Sequence, residues 1–163
     1  MRVRLRHRAT AAARPAEVWS LLGFPGRWPR YDVWLARVRA GWVSDPETGE
    51  GPPVAVEAAP GQRLVAVARV SGVPVPVDVL EVDPARRLVV LVHLAPGLRL
   101  RVATDLVETP RGQTQVTVTT EPEGPFALPS TGTLWLSSAL TTRLLALAAG
   151  REARAARRRP AAA

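Results

Sequence analysis

The sequence predicts an α+β domain in which a curved, seven-stranded antiparallel sheet wraps a long C-terminal helix. Three observations carry that prediction. Residues 2–10 alternate cleanly between charged and apolar side chains, six more strand-like runs follow with turn chemistry between most of them, and the period becomes helical from about Ser130 to Arg158. Strands in succession followed by one long helix place the helix on a single side of the sheet.

In the first run Arg2, Arg4, Arg6 and Arg8 share one face, and Val3, Leu5 and His7 share the other. Period two of this kind marks a strand with one wet and one buried side. Residues 13–22 read as a short helix: Pro15 suits the first turn, Val18, Leu21 and Leu22 form an apolar stripe, and Gly23 can end it. A Pro- and Gly-punctuated aromatic turn, Phe24–Asp32, comes next.

The later strands are expected at about 33–43, 62–71, 75–82, 87–94, 98–108 and 113–121. Ser71-Gly72, Asp83-Pro84, Pro96-Gly97 and Pro110-Arg111-Gly112 separate them, and connections this short require antiparallel hairpins. Pro74 and Pro76 lack amide donors, so regular pairing is expected to begin after Pro76. The long connection Ser44–Pro60, rich in Pro and Gly, is the natural candidate for a mobile flap. In the terminal helix Leu136, Leu140, Leu144 and Leu147 stack on one face, which is read as the inner one. Trp135, Ala139, Thr142 and Ala146 lie nearly opposite, where a wet helix would normally carry charge.

The chain of 163 residues divides into one domain over 1–152 and an Arg/Ala-rich tail over 153–163. Its formal net charge of +8 comes from basic residues that are all Arg, and Arg151–Arg159 concentrates several of them against Glu152 alone. Cysteine is absent, which excludes disulfides, thiolate metal sites and a cysteine nucleophile. With His7 and His93 the only histidines, no metal site is expected, and without a Gly-rich phosphate loop no cofactor is. No Gly-x-Ser-x-Gly elbow is present for acyl chemistry. The amino terminus shows no continuous apolar run of the secretory type, so a cytoplasmic location is expected.

Three motifs carry a resemblance. They are Arg14-Pro15-Ala16-Glu17-Val18-Trp19 in the first helix, Arg27-Trp28-Pro29-Arg30-Tyr31-Asp32-Val33-Trp34 in the turn, and the hairpin Val79–Val89 around Asp83-Pro84. Together, in this order, they resemble the START-like (helix-grip) superfamily, in its bacterial polyketide cyclase/dehydrase and lipid-transport branch. The resemblance implies a START/Bet v 1-like fold with a deep cavity between sheet and helix. Some aromatase/cyclase relatives orient a polyketone with a cavity Arg and Tyr and Ser hydroxyls. Arg69 and Ser71 occupy a comparable strand, yet alternation puts Arg69 opposite the small residues.

The residues support a hollow on their own account, because Leu64, Ala66 and Ala68 share a face and small side chains leave space unfilled. The cavity is expected to be lined by these three together with His7, His93, Thr104, the aromatic wall Trp28, Tyr31 and Trp34, and Leu136 and Leu140 of the helix. Binding or carrying a hydrophobic small molecule, lipid or polyketide-like, is the expected role. The alternative is a polyketide cyclase/dehydrase in which His7, Tyr31 or His93 moves protons. Two partner readings accompany it: a homodimer through the helix with Trp135 as anchor, and, more weakly, a membrane surface met by the Arg tail. Nucleic acid is not expected, since no aromatic platform interleaves with Arg2, Arg4, Arg6, Arg8, Arg37 and Arg39.

Overall fold

The structure is a computed structural model that describes residues 3–41, 56–127 and 129–158. The elements are β1 (Leu5–Ala11), α1 (Pro15–Leu22), a 3-10 turn (Pro25–Arg30), β2 (Leu35–Ala40), β3 (Arg63–Ala68), β4 (Pro74–Asp83), β5 (Arg87–Ala95), β6 (Leu98–Glu108), β7 (Thr114–Glu123) and α2 (Thr131–Arg158). All strands join one sheet in the order β1-β7-β6-β5-β4-β3-β2, and every neighbouring pair is antiparallel. Hairpins generate β2 to β7 in sequence. The first strand then pairs with the last, Leu5 opposite Thr120 through Ala11 opposite Thr114, and α2 packs on β1, α1 and β7.

Helix α1 starts as its sequence requires. Pro15 occupies the first turn, the Arg14 amide donates to Glu17 Oε2 at 2.6 Å, and the Gly23 amide closes on Trp19 O at 2.7 Å. Val18, Leu21 and Leu22 are buried as one stripe. A Cβ on Gly23 would lie 2.5 Å from the Trp19 ring, so the helix stop also makes room for a buried indole. That indole donates to Glu57, just beyond the segment 42–55 that lies outside the described residues, as does most of the expected flap.

Two expectations are corrected. Strand β4 begins at Pro74, not after Pro76, with Pro74 and Pro76 opposite Val67 and Val65. The Val79 amide donates to Gln62 O on the β3 side, so by alternation the donors missing at Pro74 and Pro76 would have pointed towards β5. The β4–β5 ladder ends at Val77 opposite Val92, and the prolines stand beyond it, costing no ladder bond.

The second correction concerns the helix. Leu136, Leu140 and Leu147 are exposed, whereas Thr142, Leu145, Ala146, Ala149 and Ala153 are buried. Small residues win the inner face because they let α2 lie close to β1: a Cβ on Gly150 would stand only 3.5 Å from the Ala12 amide nitrogen. The helix runs to Arg158, the end its period predicts, with Ala153 in the core.

Among the described residues, Ala85 has a strained backbone. The Asp83–Arg86 turn places Pro84 second and Ala85 third, closes with the Arg86 amide on Asp83 O at 3.0 Å, and holds Ala85 at φ 59°. Proline second and a left-handed third position describe a type II turn, which favours glycine at that third position. Replacing Ala85 with Gly is therefore expected to raise stability by about 1 kcal/mol, read as a higher urea midpoint at unchanged slope.

Candidate functional site

The strand faces that look towards α2 do not fill the space beneath it. A cavity of about 410 Å³ remains, within the range of roughly 300–1,000 Å³ usual for small-molecule sites. The sheet contributes Ala66 and Ala68 from β3, Val75 and Val77 from β4, Leu88, Val90 and Val92 from β5, Leu100, Val102 and Thr104 from β6, and Val118 and Thr120 from β7. These positions alternate along each strand, as one face of a pleated sheet must. Leu22 of α1 and the aromatic turn, through Trp28, Tyr31, Asp32 and Trp34, close one end. Helix α2 supplies the roof with Leu134, Ser137, Ser138, Thr141 and Leu145. Trp34 and Leu94 line the cavity yet are 47% and 38% exposed, so the lining reaches the surface at these residues.

The lining is mainly aliphatic, with polar atoms in two places. Hydroxyls form a belt on one side, where Thr120 Oγ1 and Ser138 Oγ share a hydrogen bond at 3.1 Å. Thr104, a buried residue, adds a further hydroxyl-bearing side chain to the lining. At the aromatic end stand the Tyr31 phenol and the Asp32 carboxyl. Burial first, then the neighbouring Asp32, pushes the Tyr31 phenol well above its ordinary value. Burial likewise raises the Asp32 carboxyl, against the opposing pull of the Trp34 amide, which donates to Oδ1 at 3.0 Å, and of the Arg69 guanidinium.

Arg69 itself does not line the cavity. Its Nη2 donates to Leu35 O at 2.8 Å and Pro29 O at 3.4 Å, so it fastens the aromatic turn to β2 from outside. Trp28 is likewise tied down, its indole donating to Leu22 O at 2.8 Å. The aromatic turn is thus both a structural closure and a cavity wall.

The expected lining divides. Trp28, Tyr31, Trp34, Ala66, Ala68 and Thr104 come together around the cavity, and Leu64, His7, His93, Leu136 and Leu140 do not. Leu64 lies further along the same strand, fully buried in the core beside the cavity. His7 packs its ring edge-on against Trp135 at 5.3 Å, between β1 and α2. Its Nε2 is buried without a partner among the described residues, and burial, then the Arg143 guanidinium, holds the ring below its ordinary value. His93 is turned to the far face of the sheet, where Nε2 meets Asp78 Oδ2 at 2.9 Å. Leu136 and Leu140 point away because the helix rotates its small and hydroxyl-bearing residues inward.

Sequence reasoning missed Asp32, the lining positions of β4, β5 and β7, and the roof positions 134, 137, 138, 141 and 145. The roof spacing of three and four was legible, but bulk drew attention to the leucines instead. A second hollow, about 480 Å³, lies on the far sheet face among Arg4, Arg6, Arg87, Arg101, Asp105 and Glu121. Its charges largely answer one another, Arg4 with Glu121 and Arg87 with both Asp105 and Glu81, and such solvated pairs contribute little.

Asp32→Asn is expected to stabilise the protein near neutral pH. A carboxyl whose folded value is raised stabilises the fold below its unfolded value, 3.8, and loses that contribution as pH rises through the folded value. Asparagine removes the charge while keeping the acceptor for the Trp34 amide. Its advantage in melting temperature at about pH 7 should shrink as pH approaches the unfolded value, and lower stability at neutral pH would show that the attraction of Arg69 outweighs burial.

No family model matches the chain, and no curated protein matches it either. Solved structures do. The Zhui aromatase/cyclase from Streptomyces aligns over 96% of this chain and 98% of its own at a TM-score of 0.72 and 16% identity. Ara h 8.0201 aligns over 90% and 96% at 0.64 and 13% identity. A START superfamily protein from Mycobacterium smegmatis aligns over 94% and 98% at 0.61 and 12% identity. With its seven-stranded antiparallel sheet and long closing helix, the chain has the helix-grip α+β fold of START- and Bet v 1-like proteins.

Proposed function

We propose that this protein binds or carries a hydrophobic small molecule, lipid or polyketide-like, inside the cavity between sheet and α2. The observation behind the reading is a space of about 410 Å³, walled by Ala66, Ala68, valines and leucines, that the described residues leave unfilled. Apolar surface in such a space is removed from water on binding, at roughly 25 cal/mol per Å² before the costs of association. The Tyr31 and Asp32 groups at one end would receive a single polar group of the guest, a carbonyl or hydroxyl, while the Thr104 hydroxyl offers a second contact along the wall. The direct test is fluorescence titration with the neutral probe N-phenyl-1-naphthylamine. Saturable enhancement at one site per chain supports the reading, and no enhancement at micromolar protein contradicts it.

A second reading has a specific observation behind it. Two titratable groups, Tyr31 and Asp32, meet in one cavity, and one fold neighbour is described as an aromatase/cyclase. In a cyclase/dehydrase, Asp32 would take or return a proton while Tyr31 donates to the substrate carbonyl. Of the proton carriers expected from sequence, His7 and His93 lie outside the cavity, which leaves Tyr31. Mass-spectrometric detection of a cyclised or dehydrated product from a poly-β-ketone, lost in Tyr31→Phe, would favour chemistry over carriage.

A further inference from the structure

Helix α2 presents three faces. Thr142, Ala146 and Ala149 pack into the protein, and Ser138, Thr141 and Leu145 roof the cavity. The third face carries Leu136, Leu140, Arg143, Leu147, Arg151, Arg154 and Arg158, all exposed. The intervals are four, three, four, four, three and four residues. At 100° per residue they fall within an arc of about 80°, so the stripe runs straight along roughly 33 Å of helix. Its first half is leucine interrupted by Arg143, and its second half is arginine alone.

Charge decides what can cover such a stripe. Glu152, the only carboxylate in α2, lies off it and pairs with Arg30 at 3.1 Å. Arg157, also off the stripe, pairs with Glu17 at 3.4 Å. A second copy laid antiparallel would set arginines on leucines, and one laid parallel would set arginine on arginine; with no acid on the stripe, neither arrangement compensates the guanidinium charge. An anionic bilayer surface satisfies both halves. Leucine side chains enter the boundary between headgroups and acyl chains, and guanidinium groups bind lipid phosphates.

We infer that the exposed stripe of α2 lays this domain on an anionic lipid surface, with the cavity roof on the same helix. The inference stands apart from the identity of the guest, since the stripe and the cavity use different faces. The test is flotation of the full chain with phosphatidylcholine vesicles and with vesicles containing about one-third phosphatidylglycerol. Binding to the anionic vesicles is expected to exceed binding to the neutral ones at least tenfold, and to fall as salt is raised. Arg151→Gln/Arg154→Gln/Arg158→Gln should lower it by on the order of a hundredfold. Leu136→Ser/Leu140→Ser/Leu147→Ser should lower it at least tenfold; both sets are exposed, and unchanged melting curves confirm that the variants fold. Absence of binding to anionic vesicles overturns the inference, as does binding that neither set of variants weakens. Light scattering that finds a dimer abolished by the leucine variant would assign the stripe to a second copy instead.

Discussion

The double variant Ala66→Leu/Ala68→Phe is expected to lose uptake of an apolar probe by about a hundredfold while melting no lower than the parent. Both alanines lie on the β3 face that borders the cavity, and the added atoms would extend into the space a guest occupies. Displacing roughly 100–150 Å² of buried guest surface removes about 3 kcal/mol of binding, which is the hundredfold. The stability readout separates a hollow from a packed interior. Overfilling a close-packed core costs about 1–3 kcal/mol through strained rotamers and shifted backbone, whereas filling empty space adds contacts. A variant that melts well below the parent would therefore argue that the space is not there.

A larger loss of stability is expected at Gly124. Its φ of +108° lies where side chains are strained, and a Cβ there would sit 2.1 Å from the Gly97 carbonyl oxygen, which is backbone and cannot swing aside. Gly124→Ala should cost about 3 kcal/mol or more, read from the urea midpoint. The position has a functional side. Gly124 presses the lead-in of α2 onto the tip of the β5–β6 hairpin, and the Phe126 ring lies against Gly97 in the same contact. Loosening it frees the first turns of the helix that roofs the cavity, so probe affinity should fall together with stability. Gly132→Ala makes a clean comparison, because a Cβ there meets nothing within 4 Å and the site is helical; it should stabilise by up to about 1 kcal/mol.

Much of the fold was legible because period two and turn chemistry are local. The run Arg2–Arg8 announced β1, and Asp83-Pro84, Pro96-Gly97 and Pro110-Arg111-Gly112 marked the hairpins now seen. The pairing of β1 with β7 was not legible in the same way, since no local signal links residues so far apart. A small part of the site followed from alternation along single strands, as with Ala66, Ala68 and Thr104. The helix misled because size was taken as the mark of burial. Its inner face had to approach β1 and leave a void under its first half, and both demands select Ala, Gly, Ser and Thr. Leucines were consequently left outside, where a lipid surface is proposed to cover them.

His7 and Asp32 show a similar division between pattern and environment. Alternation placed His7 on the inner side of β1, where it stands against Trp135, but could not say that α2 rather than the cavity covers it. Asp32 gave no periodic signal, lying in the link between the 3-10 turn and β2, and only the assembled walls reveal that it borders apolar space.

The central idea is that a guest can enter the protein between sheet and α2 rather than adhere to its surface. Backbone amide shifts followed by NMR while a small apolar compound such as 2-naphthol is added would test it most directly. Perturbations gathered on Ala66, Ala68, Thr104, Val118, Ser137 and Thr141, in slow or intermediate exchange, are what an occupied interior predicts. Shifts confined to exposed residues such as Leu136 and Leu147, with those interior amides unmoved at saturation, would contradict it.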